Sequence, residues 1–178
     1  MPTSSSRSNP EAETSSGGPG AAEQPLLLDV SGVDLTARLR SRADIERINP
    51  HRGVMSLLDW VVWEHPDQVS GVGLKQIRDD EFWVPGHFPG RPLFPGVLMI
   101  ETGGQLACYL YLVRQKNPGL IAFLRIENAA FRSAVRPGDD LYLLCREVKA
   151  GRRQFLCDIQ GLVAGRVAFD ARVSGMMR

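Results

Sequence analysis

The chain has 178 residues, 43% of them hydrophobic and 23% charged, with a formal net charge of +1 and a pI near 7.8. That length supports one domain with a sizeable core, and no charge imbalance points to nucleic acid or an anionic membrane as partner. Cys108, Cys145 and Cys157 are odd in number and fit no zinc spacing, so they read as reduced thiols of a cytoplasmic protein.

Residues Met1 to about Gln24 are rich in Ser, Gly, Pro, Ala and Glu and hold no large apolar residue after Met1. Such a segment buries too little surface to offset the entropy of ordering, and it lacks the basic start and apolar core of a secretory signal. The expected organisation is a disordered tail over 1–25 and one domain over 26–178. Leu26 to Asn49 is mixed, with a short helix expected over Ala43–Ile48, stopped by Asn49-Pro50. Leu57–Glu64 reads as a strand, His65-Pro66-Asp67 as a turn and the alternating Val69–Gln76 as the second arm of a hairpin.

Between Asp79 and Gly96 the sequence DDEFWVPGHFPGRPLFPG carries Pro85, Pro89, Pro92 and Pro95 with Gly86, Gly90 and Gly96. Neither a helix interior nor a central strand accommodates that pattern, so it predicts a rigid loop. A helix is expected from about Pro95, suited to a first turn, to the stop at Asn117-Pro118-Gly119. Its apolar run Val97–Val113 is interrupted by Glu101-Thr102-Gly103-Gly104-Gln105 and is shorter than the roughly 20 residues a membrane span needs, so it reads as a buried core helix. Four further strands are expected at Ile121–Phe131, Asp139–Val148, Gln154–Val163 and Arg166–Val173. Short turns between them imply an antiparallel meander. The predicted class is α+β, with a curved antiparallel sheet wrapped around one long buried helix.

Three positions carry candidate chemistry. Glu101 stands in the apolar helix, where a carboxylate must be paired, neutral or beside a cavity; the neutral acid could donate a proton. A structural, hydrogen-bonded Glu fits the same observation. His87 is held in the rigid loop just before that helix, and imidazole is suited to proton abstraction near neutral pH. Gly96 lies at the helix N-terminus, where unpaired N–H groups favour negative charge, such as an enolate oxygen forming on a thioester; it could equally serve only the turn. His51, His65 and His87 are too scattered for a metal site, with His51 read as a structural hydrogen-bonder and His65 as a solvated turn residue. Phe82 and Trp83 are expected at the core edge or a subunit interface. Arg125, Arg132 and Arg136 read as a solvated basic face, or alternatively as a surface for an acidic carrier or a phosphate.

The run GHFPGRPLFPGVLMIETGGQLA resembles the FabZ-type (3R)-hydroxyacyl-[acyl-carrier-protein] dehydratases, whose loop reads GHFPG-x-P-x-x-PG-V with a Glu in the next helix. FRSAVRPGDDLYL, Asn49-Pro50-His51-Arg52 and Leu57-Leu58-Asp59 resemble other family segments, so the likeness runs from about Ile48 to Val173. The resemblance implies a hot-dog fold and dehydration of a 3-hydroxyacyl thioester carried by acyl carrier protein. It implies a homodimer, open to assembly as a trimer of dimers, with His87 of one subunit facing Glu101 of the other. His87 would take the C2 proton and Glu101 would protonate the departing hydroxyl. The Gly96 N–H, with the Phe88 N–H as second choice, would hold the thioester oxygen. Val97, Gly103 and Gly104 would border an acyl tunnel, the glycines serving close packing as the other reading, and Gln105 would support Glu101. No metal or organic cofactor is called for. The family often carries a Tyr gate after the central helix, and Gly119-Leu120-Ile121-Ala122-Phe123 has none. A hot-dog thioesterase, an acyl-binding protein, and a dehydratase of polyketide or unusual-lipid synthesis remain the alternatives.

Overall fold

The computed structural model describes residues 24–116 and 119–178. The expected tail up to residue 23 and the Asn117-Pro118 stop lie outside the described residues. In chain order the elements are β1 (Arg40–Ser41), α1 (Arg42–Ile48), β2 (Trp60–Glu64), β3 (Ser70–Gln76), α2 (Gly96–Leu112), β4 (Ile121–Phe131), β5 (Asp140–Ala150), β6 (Gln154–Val163) and β7 (Arg166–Met177). The strands form one antiparallel sheet in the order β1-β2-β3-β5-β6-β7-β4. This is the expected hot-dog architecture: the sheet curves around α2, which packs against β3, β5, β6 and β7.

Local chemistry explains the helices. Ser41 and Asp44 form a capping box that starts α1. Pro95 sits at the N-cap of α2, and from Met99 to Leu112 every residue except Glu101 is buried. The helix stops at Leu112, short of the expected Pro118. Arg114 donates from Nε to the Leu110 carbonyl and pairs through its guanidinium with Glu147, satisfying the helix end before the Pro is reached.

The meander expectation holds for β5-β6-β7 and fails for β4, which lies at the far edge beside β7. The slot beside β3 is taken by β5. Three strand spacings, about 14 Å, separate β4 from β5, and the connecting residues 132–139 can reach about 26 Å, so the crossing costs little.

The mixed stretch after residue 25 is a strap over the sheet's outer face. Leu27, Leu28, Val30, Val33, Leu35 and Ala37 pack against Val62, Val72, Leu74, Leu144 and Leu162. Gln160 clamps it, accepting from the Leu27 N–H (2.9 Å) and donating to the Pro25 carbonyl (3.2 Å). The Pro/Gly loop is anchored on the inner side by a buried ion pair. Glu81 Oε1 accepts from Lys75 Nζ and the Arg78 N–H (both 3.0 Å), and Oε2 from Trp83 Nε1 (3.2 Å). Trp83 is buried edge-on against Phe94 at 5.4 Å, at the core, while Phe82 is exposed on the surface. Among the described residues no helix is long and apolar enough to cross a membrane.

Candidate active site

The loop folds back on itself to present His87. The Leu93 N–H donates to the His87 carbonyl (2.8 Å) and the His87 N–H to the Trp83 carbonyl (2.9 Å). His87 Nδ1 lies 2.7 Å from the Leu93 carbonyl oxygen. A carbonyl only accepts, so Nδ1 is the donor, and in the neutral ring this leaves the lone pair on Nε2, as a general base requires. The Phe88 ring stacks on the imidazole at 4.2 Å and is itself half exposed. The Phe88 N–H points at the Arg91 carbonyl, 3.4 Å away, across the loop. That weakens it as the second donor for a thioester oxygen.

Gly96 opens α2, and among the described residues nothing accepts from its N–H or from that of Val97. These are two of the orphan donors at a helix start. A Cβ at Gly96 would come within 3 Å of the Phe131 ring, so glycine is also what lets β4 close over the helix start. Val97, in the same turn, is 71% exposed.

Glu101 faces away from the core with 20% of its side chain exposed. Gln105, one turn on, donates from Nε2 to Glu101 Oε1 (2.9 Å) and to the Met55 carbonyl (2.7 Å). Its Oε1 accepts from the N–H groups of Leu57 (3.0 Å) and Leu58 (3.3 Å). One amide thus ties the carboxyl to the segment before β2. That segment was expected to be part of the strand; its backbone is held by Gln105 instead, and β2 begins only at Trp60. His51 was read as a structural hydrogen-bonder. Its Nε2 lies 3.3 Å from Glu101 Oε1, which puts it in the site. Among the described residues nothing donates to Oε2.

Within one chain no hydrogen bond or ion pair joins His87 to Glu101. The geometry has two halves, an imidazole fixed in the loop before α2 and a carboxyl with one open oxygen within α2. Behind Glu101 a cavity of about 20 Å³ is lined by His51, Gly104, Cys108, Ile121, Phe123 and Phe155. A Cβ on Gly104 would overlap the Phe123 ring, and one on Gly103 would press on Ile159. Both glycines therefore serve packing, and Gly104 borders the cavity as well. Burial, and then the nearby charge of Glu101, push the Cys108 thiol up to about 12. Of the three arginines read as a basic face, Arg125 pairs with Glu127 and Arg132 with Asp170. A denser cationic groove lies elsewhere: Arg152, Arg153 and Arg178 line a concavity of about 520 Å³ with Gly119 and Met177. Among the described residues none of the three has an ion-pair partner. The doubled Arg in a turn was the available signal for it.

A family model described as a FabA-like domain matches residues 49–172. The chain belongs to that family. FabA-like relatives include the 3-hydroxyacyl-[acyl-carrier-protein] dehydratase FabZ of Brucella abortus (strain S19), 34% identical over 140 residues that cover 76% of this chain and 88% of that protein. The protein of the same name from Acetivibrio thermocellus is 34% identical over 136 residues, covering 72% of this chain and 92% of the relative. Among solved structures, the dehydratase heterocomplex ApeI:P from Xenorhabdus doucetiae superposes with a TM-score of 0.66 at 16% identity, over 75% of this chain and 90% of that one. The shared FabA-like span takes in His51, His87, Gly96, Glu101 and Gln105 and leaves out the strap.

Proposed function

We propose that the chain is a hydro-lyase that dehydrates (3R)-3-hydroxyacyl-[acyl-carrier-protein] to the trans-2-enoyl thioester in fatty acid biosynthesis. One observation carries the reading: an imidazole whose Nδ1 is held by a carbonyl, leaving Nε2 for the lone pair, stands before a helix whose Glu101 carboxyl keeps one oxygen open, in a FabA-like chain. His87 Nε2 removes the C2 proton while the thioester oxygen gains charge facing the Gly96 N–H. Glu101 Oε2 then delivers its proton to the C3 hydroxyl. The C–O bond breaks, the double bond forms and water leaves. Transfer of the proton from the His87 imidazolium to the Glu101 carboxylate through water resets the pair. No step calls for a metal or organic cofactor.

The acid and base are brought together by a second copy. Support comes from the free edge of β4 and its apolar side chains: Phe123, Leu124, Ile126 and Phe131 are 41–52% exposed, and Val97 and Phe88 are exposed as well. Such a surface fits a homodimer in which His87 of one subunit meets Glu101 of the other. The groove of Arg152, Arg153 and Arg178 favours an acidic carrier protein, with the thioester reaching in past Gly119. The cytoplasm, where that carrier works, is the proposed compartment.

The test is enoyl formation from 3-hydroxyacyl-[acyl-carrier-protein] of several chain lengths, followed by mass spectrometry, for wild type, His87→Ala and Glu101→Gln. Dehydration by wild type, lost by about 100-fold or more in each variant, is expected. Wild type that binds all chain lengths and converts none would replace the reading with an acyl-binding protein.

A further inference from the structure

We propose that His51 is a positioning residue for the acid. With Gln105 it pins Oε1 of Glu101 so that the transferable proton resides on Oε2. The inference rests on the dehydratase reading of Glu101 given above.

Two nitrogens converge on Oε1. Gln105 Nε2 lies at 2.9 Å and can only donate. His51 Nε2 lies at 3.3 Å. The other ring nitrogen of His51, Nδ1, is buried with no hydrogen-bond partner. The ring faces the cavity formed with Gly104, Cys108, Ile121, Phe123 and Phe155, whose lining is otherwise apolar apart from the Cys108 thiol. A buried N–H without an acceptor is costly, whereas a proton on Nε2 finds the carboxyl oxygen. The geometry therefore assigns the neutral Nε2–H tautomer, with Nδ1 unprotonated.

With the Gln105 N–H donating to it and the proposed His51 Nε2–H 3.3 Å away, Oε1 is the acceptor in both protonation states. A proton on Oε1 would have to compete with both donors, so the neutral acid carries its hydrogen on Oε2. As Oε2–H breaks and its proton joins the leaving hydroxyl, the negative charge left on the carboxylate grows at Oε1, where Gln105 and His51 already point. Those donors are aimed at charge that appears only as the reaction proceeds, so their effect falls on kcat more than on KM. Pro50 before His51, and Arg52, which donates to the carbonyls of Asn49 (2.7 Å) and His51 (2.6 Å), hold the segment in place. Asn49 joins it to the helix by donating from Nδ2 to the Gln105 carbonyl (2.8 Å). The donor pair is thus preorganised by backbone on both sides.

The chain has three histidines, which makes the assignment readable in the intact protein. With nitrogen-15-labelled histidine, the resonances lost in His51→Gln identify residue 51, and their shifts should report a neutral ring protonated at Nε2. In turnover of 3-hydroxyacyl-[acyl-carrier-protein], His51→Leu should lower kcat about 10- to 100-fold with KM within about twofold. His51→Gln, whose amide nitrogen reaches the same oxygen, should recover to within about threefold of wild type. A ring protonated at Nδ1, a His51→Leu variant with wild-type kcat, or equal losses in His51→Leu and His51→Gln would each overturn the proposal. If His51→Leu does not fold, the tautomer in wild type and the kcat of His51→Gln decide. The two failures are separable. Active wild type and inactive Glu101→Gln beside an unaffected His51→Leu removes only the role of His51, whereas wild type without dehydratase activity removes the reading of the whole site.

Discussion

Two carboxylates sit in apolar surroundings about the loop, and they are built in opposite ways. Glu81, at the base of the loop, has both oxygens occupied and a side chain only 6% exposed. Glu101, in α2, accepts from Gln105 on one oxygen, leaves the other open and is 20% exposed. A carboxylate that holds a fold together saturates its acceptors, because each unmet lone pair in a low-dielectric setting weakens the structure. One that performs chemistry must leave an atom unsatisfied, and the surrounding structure bears that cost.

The contrast can be broken by one substitution at each site. Glu101→Gln should lower kcat by about 100- to 10,000-fold with little change in melting temperature, measured by enoyl formation and by thermal unfolding of the same preparation. Glu81→Gln should do the reverse. It leaves Lys75, 1% exposed, without its counter-charge, and breaking such a pair costs about 3–5 kcal/mol. Urea unfolding should show that loss, while activity per folded molecule falls far less than in Glu101→Gln. Equal kinetic defects in the two variants would erase the distinction.

Gln105 spans both roles and should give an intermediate result. Its carbonyl oxygen serves the fold through Leu57 and Leu58, and its amide nitrogen donates to Glu101. Gln105→Leu leaves two buried backbone N–H groups unpaired, so unfolding free energy should drop by about 2 kcal/mol or more. Turnover measured on the folded fraction should drop about tenfold as well.

The smallest effect concerns Cys108. Its thiol is held protonated in the fold up to about 12, against an ordinary value of 9.0, by burial and then by the charge of Glu101. The folded state therefore binds the proton more tightly than the unfolded chain. The stability this contributes is full below pH 9 and is lost between pH 9 and 12, at up to about 1.4 kcal/mol per pH unit. Urea unfolding across that range should show a shallower decline in Cys108→Ala than in wild type.

Much of this was legible in the chain itself. The Pro/Gly run could only be a loop, and the hydrophobic periods placed α2 and six strands, because both signals are local. The same signals placed His87 in the loop just before α2 and Glu101 one turn into the helix. The strap over the outer sheet face escaped notice, because Leu27 to Ala37 has no regular period and gains its meaning only from the sheet beneath. Lys75 and Glu81 went unremarked for the same reason: each looks like an ordinary surface charge until the loop folds over it.

The sequence by itself determined which residues could do acid–base work and that a rigid loop would hold one of them, since composition and backbone restriction act over a few neighbours. The tertiary structure decided what those residues touch. It sent β4 to the far edge, where its apolar side chains lie open, and it brought His51 from a distant segment to within 3.3 Å of Glu101. It also fixed the lone pair of His87 by a carbonyl six residues on. Hydrogen-bond direction and register depend on distances between segments far apart in the chain, and no local pattern encodes them.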